Sequence, residues 1–124
     1  MMSTPKSKTV VKPRGLGARP QMDDAKAGEL MALFKVLANE NRLQLLHALE
    51  RSTELSVGEL ADVAGMTVQA VSNQLQRLVD QRILVARREG NHAYYRIVDP
   101  CVVGLLELGI CLIEENRQNA NQRS

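Results

Sequence analysis

Between Met66 and Arg82 the apolar residues recur at the spacing of an α-helix that buries one face. The repeating apolar positions are Val68, Val71, Leu75, Leu78 and Val79. The opposite face carries hydrogen-bonding and charged side chains, which are Gln69, Ser72, Asn73, Gln76 and Arg77. Thr67 stands before the first helical position, where threonine is a favourable N-cap. The pattern predicts a helix whose polar face projects away from the core.

A shorter helix is predicted immediately upstream. Ser56 and Glu59 have the spacing of a capping box, in which each side chain bonds to the backbone N–H of the other residue. This helix is expected to run to about Val63 and to be ended by Ala64-Gly65. Two helices joined by a short turn that contains glycine form a helix-turn-helix, whose second helix lies in the major groove of DNA.

Downstream of these helices, two strand-like runs flank a polar turn. The runs span residues 83–88 and 93–98, and the turn is Glu89-Gly90-Asn91-His92. Such runs around a Gly-Asn turn predict a β-hairpin, which after a helix-turn-helix is a wing. The predicted fold is therefore mainly α with a small β-hairpin wing (α+β), a winged helix-turn-helix.

Four segments resemble, in the same order, motifs of the ArsR/SmtB family of bacterial winged-helix repressors. They are residues 37–43 (LANENRL), 54–60 (ELSVGEL), 71–75 (VSNQL) and 88–95 (REGNHAYY). The resemblance extends from about Glu29 to Glu115 and leaves the first twenty or so residues uncovered. It implies a homodimeric transcriptional repressor that leaves its operator when a metal ion or another thiol-reactive signal binds.

Two further helices are predicted before the helix-turn-helix. Asp23 or Asp24 is expected to cap the first, whose apolar residues at helical spacing are Leu30, Leu33, Phe34 and Leu37. Asn39 is expected to cap the second, with Arg42 directed outward. The residues of this second helix expected to face the core are Leu43, Leu46 and Leu49.

The last helix is predicted to begin with Asp99 as N-cap and Pro100 at the first helical position, and to end near Arg117. Its apolar residues lie on nearly all sides, and they are Val102, Val103, Leu105, Leu106, Leu108, Ile110, Leu112 and Ile113. A domain this small covers one side of such a helix, so the other side needs a partner. A two-fold dimer through the first and last helices is therefore predicted.

Composition supports one small folded domain of 124 residues, with 44% hydrophobic and 24% charged residues. Three regions are predicted: a disordered basic tail over 1–21, the winged helix-turn-helix domain over 22–117, and a disordered C-terminal tail over 118–124. The chain has no apolar run of membrane-spanning length and no apolar signal core, which predicts a cytoplasmic protein without a membrane partner. Its residues show no catalytic pattern, so an enzyme is not expected.

Positive charge is concentrated in two places. The tail carries five basic residues and no acidic one, and removing those five from the overall charge of +2 leaves −3 for the rest. Between Thr67 and Val98, five arginines stand against Asp80 and Glu89. This distribution favours contact with DNA phosphates, whereas the alternative of a winged helix that binds protein would not need it. The tail is either a solvated leader or an arm that contacts the duplex.

The predicted contacts with double-stranded operator DNA divide into base and phosphate contacts. Base edges are assigned to Gln69, Ala70, Ser72 and Asn73. Phosphates are assigned to Thr67, Arg77, Arg87 and Arg88, the set also includes Ser56, and the wing tip adds Asn91 and His92 near a minor groove. A two-fold dimer predicts an imperfect palindrome with half-site centres about 10 bp apart.

Cys101 and Cys111 lie ten residues apart on the last helix, or about 15 Å, which is too far for a disulfide within one chain. If two terminal helices cross antiparallel, Cys101 of one approaches Cys111 of the other, with Asp99 and Glu115 at the same ends. Such a site would suit zinc or another thiophilic metal or metalloid ion as inducer, with no cofactor otherwise required. Thiol oxidation and simple packing of two small apolar residues are the alternatives.

The resemblance adds a comparison of ligands. Many relatives carry Asp-x-His at the start of the last helix and His-x-x-Glu or His-x-x-His about eleven residues later, shared across the dimer to bind zinc. In this sequence Asp99 and Glu115 fit that pattern, but Cys101 replaces the first histidine and Leu112 the second. A second family pattern, Cys-Val-Cys before the reading helix, is Ser56-Val57-Gly58 here, so that thiolate site is absent.

Overall fold

The structure is a computed structural model that describes residues 16–123. Two compact units make up the described chain, residues 16–98 and residues 99–123. The first begins with a 3-10 turn at Leu16–Ala18 and continues with α1 (Asp24–Leu37), α2 (Glu40–Arg51), β1 (Leu55–Ser56), α3 (Val57–Ala64), α4 (Val68–Asp80), β2 (Leu84–Glu89) and β3 (His92–Ile97). The second is the helix α5 (Pro100–Arg123). This order confirms the mainly helical fold with a small wing.

Side chains cap the first two helices as predicted. Asp23 Oδ1 accepts a hydrogen bond of 2.8 Å from the Lys26 backbone N–H at the start of α1. Asn39 Oδ1 accepts one of 3.1 Å from the Arg42 backbone N–H at the start of α2. Each cap satisfies a donor that the first helical turn leaves without a partner.

The helix-turn-helix is also set by local hydrogen bonds. The Glu59 backbone N–H donates to Ser56 Oγ at 3.2 Å, and the Ser56 backbone N–H donates to Glu59 Oε1 at 2.8 Å, which completes the capping box of α3. Gly65 then ends α3 in the left-handed conformation, and Thr67 Oγ1 caps α4 through the Ala70 N–H at 3.1 Å. These bonds confirm the predicted helix starts and the predicted turn.

The core lies where α4 packs against α2, α3 and β2. The buried apolar residues of this unit are Leu37, Leu45, Leu46, Leu49, Leu60, Ala61, Val71, Leu75, Leu78, Ile83 and Leu84. Two predicted core positions were wrong, because Leu43 is 38% exposed and Val68 is 54% exposed. Val68 stands in the first turn of α4, beyond the edge of the core, and Leu45 replaces Leu43 in α2. Helical spacing alone allows either Leu43 or Leu45 to face the core. The packing of α2 against α3 and α4 buries Leu45.

The wing belongs to a three-stranded antiparallel sheet with the order β1-β3-β2. Glu89 pairs with His92, so the hairpin loop consists of Gly90 and Asn91 only. Gly90 has φ +63, and a positive φ at the first central residue alone is typical of a type II′ turn. The two-residue strand β1 was not predicted, because it exists only through its pairing with Tyr94 and Tyr95.

The end of α4 is unusual in its residue type. Arg82 has φ +61 and is the only non-glycine residue with positive φ in the described part of the chain. Its backbone N–H donates to the Val79 carbonyl, and the Ile83 N–H donates to the Leu78 carbonyl, both at 2.9 Å. This pattern is a Schellman motif. A side chain in this conformation costs on the order of 1 kcal/mol, which glycine avoids.

The second unit, α5, is longer than predicted. It continues to Arg123, well past the predicted end near Arg117, and therefore includes most of the segment predicted as a disordered C-terminal tail. After Gly109 no glycine or proline interrupts the helix, and the Asn and Gln residues near its end are compatible with it. Its N-terminus agrees with prediction, since Asp99 Oδ1 accepts from the Cys101 N–H at 2.8 Å. None of the described helices is long and apolar enough to span a membrane.

The predicted basic tail lies largely outside the described residues. Lys6, Lys8, Lys12 and Arg14 belong to the part that is not described, whereas Arg19 follows the 3-10 turn and is exposed. Its contact with DNA therefore stays a prediction.

Replacement of Leu46 by alanine is expected to lower the free energy of unfolding by about 2 to 5 kcal/mol, because a fully buried leucine leaves a cavity. Leu43→Ala is the matched control on the same helix and is expected to cost about 1 kcal/mol or less. Urea unfolding at one fixed protein concentration measures both losses, since association would otherwise shift the midpoints. Equal losses would contradict this packing of α2.

Candidate DNA interface and inducer site

The outward face of α4 carries side-chain amides that are already ordered. Gln69 Nε2 donates to Asn73 Oδ1 at 3.3 Å, and Gln76 Nε2 donates to Asp80 Oδ1 at 2.8 Å. All four side chains are exposed, and Ser72 beside them is half-buried. The Gln69–Asn73 bond leaves the Gln69 carbonyl oxygen and the Asn73 amide group for an adenine edge. The first half of α4 therefore presents uncharged donors and acceptors to solvent.

Three other predicted contact residues take part in the helix caps: Ser56 and Thr67 as the caps, and Ala70 as the donor to Thr67. The hydroxyls of Ser56 and Thr67 accept bonds from Glu59 and Ala70 and keep their own protons for a further acceptor. Ala70 uses its backbone N–H in the cap, so only its half-buried methyl group is available to a base. These residues lie at the starts of α3 and α4, where helix dipoles favour a phosphate.

Arg87, a predicted phosphate contact, has its hydrogen bonds directed into the protein. Its Nε and Nη2 donate to the two carboxylate oxygens of Glu54 at 3.1 and 2.8 Å, and its Nη1 donates to Glu89 at 3.1 Å. Its guanidinium carbon lies 4.8 Å from the centroid of the Tyr94 ring. The hydrogen bond from Arg87 lowers the pKa of the Glu54 carboxyl below its ordinary value. Arg87 thus ties the wing to the segment before β1.

Arg88 and the wing tip have different surroundings. Arg88 is exposed and forms no ion pair with any described residue, and it lies on the sheet face opposite Arg87 because alternate residues of a strand point to opposite sides. Asn91 and His92 are exposed at the hairpin end, and the His92 ring centroid is 6.3 Å from that of Tyr94. On α4, Arg77 is likewise exposed without an ion pair in the described chain.

Arg42 has a role that sequence reasoning missed. It was predicted to point outward, but it is half-buried and joins three helices. Its Nε donates to Gln74 Oε1 on α4 at 2.6 Å, and its Nη1 donates to the Val36 carbonyl near the end of α1 at 2.7 Å. The Val36 carbonyl belongs to the last turn of a helix, where acceptors lack partners and attract such a donor. The sequence carries no local signal for this contact, because Gln74 lies 32 residues away.

The predicted ligands occupy two places on α5. Cys101 and Cys111 are both exposed, as is Glu115, which stands one turn after Cys111 on the same side of the helix. The Asp99 carboxylate raises the pKa of the Cys101 thiol, first by hydrogen bonding and then by its charge. Within the described part of one chain, no three His, Cys, Asp or Glu side chains are grouped as a metal site. The predicted ligands are therefore two separate pairs, Asp99 with Cys101 at the start of α5 and Cys111 with Glu115 farther along it.

The fold and the exposed polar face of α4 define a winged helix-turn-helix DNA-binding protein. A family model described as MarR family matches residues 39–93, from the cap of α2 to the second wing strand, which is less than half of the chain. The crystal structure of the AntR antimony-specific transcriptional repressor has a TM-score of 0.74 and 61% identity, covering 87% of this chain and 96% of that one.

Two other proteins are also similar to this chain. The cadmium resistance transcriptional regulatory protein CadC of Listeria innocua is 30% identical over 98 residues, which are 79% of this chain and 82% of CadC. The homodimeric winged helix-turn-helix DNA-binding domain of a possible ArsR-family transcriptional regulator from Mycobacterium bovis has a TM-score of 0.67 and 34% identity, covering 82% of this chain and 95% of that one. The chain belongs to the ArsR/SmtB family of transcriptional repressors, as the sequence motifs indicated.

Substitution of Glu54 by glutamine is expected to speed hydrogen exchange of the backbone amides of β2, because Arg87 loses its charged acceptor. Glu50→Gln is the control, since Glu50 is exposed and makes no ion pair among the described residues. The pKa of Glu54 is lowered in the folded protein, so its contribution to stability is present above about pH 4.5 and is lost as the pH falls through the lowered value. Wild-type exchange in β2, corrected for intrinsic rates, should therefore rise below pH 4.5. Unchanged exchange in Glu54→Gln would show that other contacts hold the wing.

Proposed function

We propose that this chain is a homodimeric repressor that reads double-stranded operator DNA with α4 and is released by a thiophilic metal or metalloid ion bound between two α5 helices. The observation that carries the first part is the uncharged polar face at the start of α4, where Gln69 and Asn73 are exposed; Arg77 in the last turn of α4 and Arg88 on β2 are also exposed. Amides and hydroxyls at such a place match base edges, and guanidinium groups match phosphates. Arg87 has the structural role of holding the wing and is not needed as a phosphate contact.

Exposed apolar surface supports the dimer. α1 makes few contacts with other elements, and Met31 and Phe34 on it are 54% and 47% exposed. On α5 the side chains that are more than half exposed are Leu108, Ile110, Leu112 and Ile113. Exposed apolar surface of this kind, on either helix, marks an interaction site in a globular protein. A second copy would bury such surface in a two-fold dimer, and the domain from M. bovis is homodimeric.

The two ligand pairs of α5 support an inducer site shared by the dimer. Antiparallel crossing of two α5 helices joins Asp99 and Cys101 of one chain to Cys111 and Glu115 of the other, twice by symmetry. Thiolates favour thiophilic ions over magnesium or calcium. Since AntR is antimony-specific and is 61% identical to this chain, antimony is the first ion to test. Thiol oxidation is a second candidate signal, because both thiols are exposed.

Arg42 supplies a connection from α1 to the reading helix α4. α1 lies in the proposed dimer interface, and Arg42 links its last turn to Gln74 on α4. An inducer that prefers one arrangement of the two chains would shift the two α4 helices relative to each other, and the Arg42 contacts would keep α1 and α4 together in that shift. A coupling of about 1 to 3 kcal/mol lowers operator affinity roughly 5- to 150-fold.

The double variant Ser72→Ala, Asn73→Ala is expected to lose selective operator binding while keeping its fold, because base contacts of about 1 to 3 kcal/mol each disappear. Gel shifts compare the duplex that wild type enriches from a random pool with a scrambled duplex. Gln76→Ala is the matched control and should keep selectivity, since Gln76 is bonded to Asp80 and lies farther from the start of α4. Full selectivity in the double variant would refute this reading surface. Failure of wild type to enrich any duplex would favour a protein-binding winged helix.

Dimers of Cys101→Ser and dimers of Cys111→Ser are both expected to stay on the operator when antimonite is added, because every shared site lacks one thiol. A mixed dimer with one chain of each variant regains one complete site, and it should recover release at a higher ion concentration than wild type. Fluorescence anisotropy of labelled operator measures this release, and a second tag isolates the mixed dimer. Release by the double-cysteine variant would place the signal elsewhere. Release by oxidant that only reductant reverses would instead support the disulfide signal.

A further inference from the structure

The side-chain amides of Gln69 and Asn73 form a joined pair on α4. Gln69 Nε2 donates to Asn73 Oδ1 at 3.3 Å, and both side chains are exposed. Residues four apart in a helix lie one turn apart on the same face. This face is opposite to the buried Val71 and Leu75, and it belongs to the first half of α4. The N-terminal residues of a recognition helix are the ones that meet base edges in a major groove.

The bond between these two amides leaves one acceptor and one donor free. Gln69 keeps its carbonyl oxygen and Asn73 keeps its NH2 group, and neither group has a side-chain hydrogen bond to another described residue. The same combination results if the two amides exchange their roles, because each amide has one C=O and one NH2 group. The pair therefore presents one donor and one acceptor side by side.

Among the four bases in a major groove, adenine is the one that presents an acceptor next to a donor. Its N7 accepts and its N6 amino group donates, whereas guanine presents two acceptors, thymine one acceptor and a methyl group, and cytosine one donor. Arginine, the side chain that suits guanine, does not occur in the first half of α4, since Arg77 lies in the last turn. The start of the helix therefore matches an A·T pair.

We infer that Gln69 and Asn73 act as one unit that reads a single adenine in each operator half-site, where the Asn73 NH2 group donates to N7 and the Gln69 carbonyl accepts from the N6 amino group. This inference rests on the proposed operator binding and names the base that determines specificity. Because the two side chains hold each other in the free protein, less rotamer freedom is lost when they meet the base. Loss of either side chain removes one contact and also the bond that orients the other amide.

Replacement of Gln69 and Asn73 by alanine, singly and together, tests the joint reading. In the duplex that wild type enriches from a random pool, each A·T pair of one half-site is exchanged in turn for G·C. One of these exchanges is expected to lower wild-type affinity roughly 5- to 150-fold. Both single variants and the double variant should be insensitive to that same exchange, so that the two single losses do not add.

A modified base tests the contact with N7 directly. At the same position, 7-deazaadenine lacks N7 and keeps Watson–Crick pairing, so it should weaken the binding of wild type and leave that of Asn73→Ala unchanged. Gln76→Ala is the matched control, because it breaks the equivalent bond to Asp80 near the end of α4 and should keep the wild-type responses. Alanine is the better helix former, so all variants are expected to fold, and circular dichroism checks this.

Three results would overturn the joint reading. They are an enriched duplex in which no A·T pair is required, additive losses at two different base pairs, and an N7 effect that persists in Asn73→Ala, which would assign the adenine to Gln69 alone. Wild-type protein that enriches no duplex would instead refute the proposed function itself, so the two failures are distinguishable.

Discussion

Burial of the single apolar stripe of α4 is the constraint on which the rest of the structure depends. Val71, Leu75 and Leu78 are fully buried where α4 meets α2, α3 and β2. A helix with one apolar stripe has one favourable rotation about its axis. Rotating the helix by one residue would bury a side-chain amide and expose a leucine. The core therefore holds Gln69 and Asn73 in solvent at a defined orientation. The proposed reading of DNA therefore uses the face of α4 opposite to the face that packs.

The arginines of this protein divide into two groups with different tasks. Arg42 and Arg87 direct their donors to acceptors inside the protein, where the planar guanidinium binds two or more partners at once. Arg77, Arg82 and Arg88 are exposed without ion pairs in the described chain. The first group fixes helices and wing relative to one another, and the second supplies charge to the surface. Because Arg87 and Glu54 hold the wing, the phosphate contact that we propose for Arg88 would start from an ordered strand.

The proposed inducer site on α5 depends on a second chain. Each ligand pair has one thiol and one carboxylate, which is too few ligands for a metal or metalloid ion in a single chain. The exposed apolar residues of α5 lie on the same helix as these ligands, so one interface would bury the apolar surface and complete the site. Binding of an inducer and association of the chains are then linked, since the ligand stabilises the arrangement that forms its site.

Features that depend on residues within about four positions of one another could be predicted from the sequence. The caps at Asp23, Asn39 and Thr67, the capping box of α3 and the Gly90-Asn91 turn follow from local hydrogen bonding and local dihedral preference. The polar face of α4 follows from the helical period. These features determined the winged helix-turn-helix fold and the principal candidates for base contact.

Features that depend on distant partners were decided only by the tertiary structure. Arg42 turns inward because the Val36 carbonyl and Gln74 meet beside it, and Arg87 binds Glu54, which is 33 residues away. The selection of Leu45 over Leu43 and the existence of β1 likewise require elements far apart in the chain. The place of an arginine in the helical pattern and its charge are the same whether it binds a carboxylate of the protein or a phosphate of DNA. Its role is therefore decided by the acceptors that folding brings within hydrogen-bond distance. These acceptors cannot be identified from the sequence alone.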